Sequence, residues 1–146
     1  MHPIRQGKLN IIVGLAGLLL ASSGGMALGA TFDQHSVRDG FHLLTLVRFY
    51  LREGHSHGMP LSLYNLIVGL LLDQWIANPR WRRVASWATA LSLVLPIGLA
   101  AKGAAGASAT FPPIGLIGVA GMFVSLVLLL ANSRAGLPQA ATSGEN

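Results

Sequence analysis

The sequence predicts an all-α integral membrane protein, with four transmembrane helices and one interfacial amphipathic helix. Three observations carry this reading. Only 10% of the 146 residues are charged, against about a quarter in soluble domains, so the chain lacks the polar atoms to cover a water-facing surface. Long apolar runs alternate with short polar segments. Basic residues gather at the ends of those runs, where membrane topology puts them. The net charge of +5 therefore points to orientation in a bilayer and contact with lipid, and not to nucleic acid. At this length the chain is a single membrane domain, residues 1–146. With no cysteine, disulfides, thiolate metal sites and thiol catalysis are excluded.

The first span, residues 9–30, is uncharged and follows Arg5 and Lys8. It exceeds the roughly 20 residues a crossing needs and is long for a signal-peptide core of roughly 7–15. Gly17, Ala21, Gly25 and Gly29 recur every fourth residue, a flat face that lets another helix approach. Residues 31–40 are polar and read as a loop, with Ser36 or Asp39 available to cap the next helix. Over residues 41–53, Arg38, His42, Thr45, Arg48 and Arg52 form one polar stripe at spacings of three and four. The other side is apolar, so this segment is expected to lie at the interface and to stop at Gly54.

Pro60 suits the first turn of a second span, residues 60–76. Asp73 near its end reads as a boundary residue beside Trp75 and the basic loop rather than as an intramembrane proton carrier. The third span, residues 84–101, carries Pro96 and is expected to kink there. The fourth, residues 114–131, places Gly115, Gly118 and Gly121 at intervals of three, another close-packing face. Residues 132–146 read as a disordered tail. Arg5, Lys8, Arg80, Arg82, Arg83 and Arg134 would share one side and Arg38, Arg48, Arg52 and Lys102 the other. That balance favours both termini in the cytoplasm, with a bacterial inner membrane as the expected location.

Chemistry concentrates just before the second span. Gly54-His55-Ser56-His57-Gly58 offers two imidazoles, the commonest metal ligand and neutral enough to bind at physiological pH. In a turn His55 and His57 could converge, and the flanking glycines leave room for a bulky group. His42, Arg48 and Arg52 supply a cationic stripe nearby. Arginine forks match carboxylates, so the stripe suits the propionates of haem b better than a bare ion. Asn65 is an amide inside an apolar run and must find partners there. Tyr64 adds a phenol that can donate a proton or anchor at the interface. No phosphate-binding glycine loop, nucleophile-elbow serine or paired-carboxylate arrangement is present.

His57-Gly58-Met59-Pro60, followed by Asn65, resembles the start of the second span in styrene oxide isomerase and its relatives. The resemblance covers about ten residues plus the general layout. It implies a small four-span protein binding haem b between subunits of a homo-oligomer. His57 would be the iron ligand, and Asn65 would sit beside a small apolar epoxide that isomerises to an aldehyde. The chain departs from the pattern in having His55, a long amphipathic segment before it, and eight residues rather than six between His57 and the amide. The resemblance therefore bears on haem binding more directly than on isomerisation. Two other readings stay open: a non-enzymatic small subunit or accessory protein docked in a membrane complex, and a copper- or zinc-handling membrane protein using His55 and His57.

Overall fold

In a computed structural model the protein is all-helical; it describes residues 7–31 and 45–133. The helices are α1 (Lys8–Ala30), α2 (Leu46–Trp75), α3 (Pro79–Leu91), α4 (Val94–Ala104) and α5 (Gly115–Ser133). Three stretches are long and apolar enough to cross a membrane: α1, the α3–α4 pair over Pro79–Ala104, and Gly115–Asn132 of α5. These correspond to the expected first, third and fourth spans. Large aliphatic side chains such as Leu19, Leu20, Leu70, Val127 and Leu130 point outward and are more than 60% exposed, as a bilayer rather than water requires.

The separate interfacial helix and second span do not occur among the described residues. Leu46–Trp75 is one unbroken helix of 30 residues, running through Gly54, Gly58 and Pro60. Thr45 opens it, its hydroxyl accepting from the Arg48 backbone N–H at 3.3 Å. Tertiary packing overrides the local break signals. Gly54 lies against Pro96 and Ala100 of α4, and Gly58 against Ala21 of α1, so each glycine allows a close helix approach that a side chain would block. Pro60 sits on the exposed face, where the carbonyl that loses its helical donor is not enclosed by another helix. Ser36, Asp39 and His42 lie outside the described residues, as does the proposed tail beyond Ser133; Asn132 and Ser133 themselves end α5.

α1 and α2 run antiparallel. The small-residue ladder faces α2: Gly17 meets Ser62, Ala21 meets Gly58, and Gly25 meets the His55 ring; Gly14, outside the ladder, meets Ser62 and Leu66. Gly29 has open space beside it, so the contact face ends a turn earlier than the sequence spacing implies. α4 packs on the other flank of α2, and α5 packs against α3 and α4. Gly118 lies against Leu95, and Gly121 against Ala88 and Leu91.

The α3–α4 span is interrupted, as Pro96 predicts, but the break lies a turn earlier. Proline has no N–H for the carbonyl four residues back and its ring crowds that carbonyl. Here the carbonyl belongs to Ser92, which accepts instead from Leu95 N–H at 3.2 Å. Ser92 and Leu93 likewise bond three residues back, to Thr89 and Ala90.

The α2–α3 turn is held by Arg82. Its guanidinium donates to Asp73 at 2.9 Å, to the Ile76 carbonyl at 2.8 Å and to the Ala77 carbonyl at 3.1 Å. Asp73 is therefore engaged by an ion pair at the α2–α3 turn. Arg82→Ala should lower unfolding stability in detergent by about 1–2 kcal/mol, since hydrogen bonds to a charged group that is mostly buried are lost. A change within error of zero would show that the clamp is screened away.

Candidate functional site

Two features occupy the interior, a knot of polar side chains and an apolar cleft. The knot lies beside the α3–α4 break. Asn65, fully buried, donates to the carbonyls of Leu61 and Thr89, each at 3.0 Å, and to Ser92 Oγ at 3.2 Å. Its Oδ1 accepts from Asn10 Nδ2 at 3.2 Å. Asn10 also donates to the Ser86 carbonyl at 2.8 Å and accepts from Ser86 Oγ at 2.6 Å. Thr89 Oγ1 donates to the Ala85 carbonyl at 2.8 Å and adjoins Ser125 Oγ, which pairs with Tyr64 OH at 2.7 Å. The break explains part of this: Thr89 O loses its usual donor four residues on and is served by Ser92 and Asn65 instead. Both polar ends of Asn65 are taken up inside the bundle. Neither Asn65 nor Tyr64 lines the cleft.

The cleft, about 960 Å³ in volume, runs between α1 and α4 with α2 as its floor. It falls within the size range of cofactor and small-molecule sites. Its walls are small or aliphatic: Gly17, Ala21 and Gly24 from α1, Ala100 and Ala101 from α4. α1 and α4 both pack on α2 but hardly on each other. Leu20 on one rim and Ile97 on the other are 70% and 56% exposed, so the cleft opens sideways.

Within α2 three polar side chains line the floor, Arg48, His55 and Ser62, with Thr31 and Thr45 at the Arg48 end. The three are seven residues apart, which brings a helix back to nearly the same face and about 10 Å further along. Arg48 donates to Thr31 Oγ1 at 3.1 Å and to the Leu28 carbonyl at 2.6 Å. It thereby joins α2 to the C-terminal end of α1, where a cation is favoured by the exposed carbonyls. His55 is partly buried, and its Nδ1 lies 2.7 Å from the Ala21 carbonyl. A carbonyl can only accept, so Nδ1 carries the proton and Nε2 of the neutral ring keeps its lone pair. That nitrogen has no hydrogen-bond partner among the described residues.

His57 points elsewhere. Two residues along a helix turn the side chain by about 200°, so the convergence that a turn would have allowed does not occur. His57 is 46% exposed on the outer side of α2, with Nδ1 at 2.9 Å from the Glu53 carbonyl and 3.5 Å from the Glu53 carboxylate. Arg52 is also outside the cleft, against Glu53 at 3.4 Å and over the Phe49 ring. Of the sequence-predicted residues, the structure thus brings His55 and Arg48 to one cavity and leaves His57 and Arg52 outside it. No group of three or more His, Asp or Glu ligands occurs among the described residues.

Sequence reasoning missed Ser62 and Asn10. Ser62 could have been found from the seven-residue spacing Arg48–His55–Ser62. Asn10 carried no local signal, since its partners are 55 and 76 residues away. Compared with known proteins, the chain matches no family model, no curated protein and no solved structure, and the reading of the cleft rests on its geometry.

Proposed function

We propose that the chain is a four-span membrane protein, its α1–α2–α4 cleft binding haem b through His55. The single observation behind this is the state of the His55 ring. An imidazole whose Nδ1–H is held by a carbonyl has Nε2 in the tautomer that metal ligation uses. The cleft suits the group in other respects. It is apolar, large enough for a plate-shaped ligand, and has Arg48 at one end for a carboxylate. α2 is the fourth span in this reading: its 30 residues extend about 45 Å, beyond the roughly 30 Å hydrocarbon core. Its polar first half would then line the cleft or reach the headgroups. Both termini would face the cytoplasm of a bacterial inner membrane.

His57 supports a second placement of the same group. Its Nδ1 is also held by a carbonyl, and it faces outward, as a ligand shared between copies in a homo-oligomer would. Ferric haem with an open position can act as a Lewis acid on an epoxide oxygen, the isomerase chemistry. The protein's own part would be to orient the ring nitrogen, exclude water with the Gly and Ala walls, and hold a propionate with Arg48.

Single His55→Ala and His57→Ala variants, purified from a haem-replete host, separate the cases. The cleft reading expects the violet absorption band to disappear in His55→Ala and persist in His57→Ala. The reverse pattern moves the group to the outer face. Colourless wild-type protein ends the proposal; metal analysis would then decide between copper or zinc on these histidines and a non-enzymatic subunit.

A further inference from the structure

Ser62 Oγ is fully buried and has no hydrogen-bond partner among the described residues. A helical serine usually back-bonds to the carbonyl one turn earlier; this one faces the cleft and Gly17 instead. A buried hydroxyl without a partner is costly in an apolar surrounding. We infer that the inner part of the cleft, between His55 and Ser62, binds a membrane-dissolved lipophile bearing an oxygen that hydrogen-bonds Ser62 Oγ.

Shape and access favour this occupant. Along α1 the cleft runs from Val13 to Thr31, about 27 Å. An acyl chain or a flat ring system fits a slot of this length walled by glycine, alanine and aliphatic side chains. The exposed rims at Leu20 and Ile97 put the opening toward lipid tails, so the ligand arrives by partitioning into the bilayer. The floor then supplies one hydroxyl for its oxygen. The inference concerns the same cleft as the haem reading but rests on the orphaned hydroxyl and the side opening, and it stands or falls separately.

Benzophenone is a suitable probe: a lipophilic diaryl ketone whose carbonyl accepts one hydrogen bond and which labels nearby C–H groups under ultraviolet light. Wild-type protein in lipid nanodiscs should carry the label at inner-cleft positions such as Leu93 and Val94, above the level on lipid-facing Leu126 and Val127. Ser62→Ala should reduce inner-cleft labelling roughly three- to tenfold, the range of one net hydrogen bond. The same variant should unfold no more easily than wild type, because the hydroxyl it removes is unpartnered; a hydroxyl with a structural role would lower stability instead. Filling the cleft from its wall with Ala90→Leu should suppress the label while Ser62 is intact. Labelling spread evenly over lipid-facing helices, or unchanged in Ser62→Ala, would overturn the inference. The haem band of Ser62→Ala, read on the same sample, should be retained, which keeps this result apart from that of the histidine variants.

Discussion

Asn65→Asp is expected to destabilise the bundle by about 3–5 kcal/mol, the cost of an unpaired buried charge, although it barely changes shape. Three of the four partners around the wild-type amide accept from it: Leu61 O, Thr89 O and Ser92 Oγ. A carboxylate has nothing to donate and meets a row of oxygens. Asn65→Leu removes the same bonds but leaves most partners served, since Asn10 keeps Ser86 and Thr89 O keeps Ser92. At roughly 0.6 kcal/mol for each bond in a membrane interior, it should cost only about 2 kcal/mol. Reversible unfolding of both variants in mixed micelles gives the comparison. If aspartate is tolerated as well as leucine, the amide is not the donor at the centre of the knot.

Gly14→Leu is expected to cost at least 3 kcal/mol and to prevent recovery of folded protein at physiological temperature. A Cβ at Gly14 would lie 2.8 Å from the Ser62 carbonyl and 2.9 Å from the Leu66 backbone nitrogen. Backbone cannot turn aside, so α1 and α2 must separate along the pair that carries the most packing in the fold, and overpacking at the upper end of its usual range follows. Gly25 offers an informative contrast. Its neighbour is the His55 ring, a side chain that can rotate. Gly25→Leu should therefore be milder in stability while moving the imidazole off the Ala21 carbonyl. Folded yields and melting curves of the two variants test the ranking, and equal losses would show that the α1–α2 seam yields as a whole.

The apolar runs were legible because bilayer thickness writes itself into local composition: α1 and α5 begin and end within about two residues of the expected spans. Pro96 gave the interruption for the same reason, as a local backbone constraint. α2 was not legible as one helix. Gly54, Gly58 and Pro60 signal an end, and only Ala21, Pro96 and Ala100, far away in sequence, convert the glycines into contact points. The site divides in the same way. His55 and Arg48 stand out by residue type, but their shared direction depends on α2 being continuous. The same continuity turns His57 outward. The enclosure of Asn65 by Asn10, Thr89 and Ser92 needed three separate helices to be in place, and no pattern within a single run announces it.

The interruption at Ser92 and Leu93 has a mechanical side. A span with three residues bonded three back, Ser92, Leu93 and Leu95, changes direction at that joint, and the polar knot anchors the α3 side of it. α4, 11 residues and about 16 Å long, is pinned at its far end too, where a Cβ on Gly103 would lie 3.0 Å from both the Val47 carbonyl and the Leu51 backbone nitrogen of α2. A tilt of about 10° at the joint would displace that end by roughly 3 Å, which the backbone contacts at Gly54 and Gly103 do not allow unless α2 moves with it. The joint therefore acts as a fixed elbow: it sets the angle at which α4 leaves α3 and lies down on α2, and so holds the α4 wall of the cleft at a constant distance from its floor.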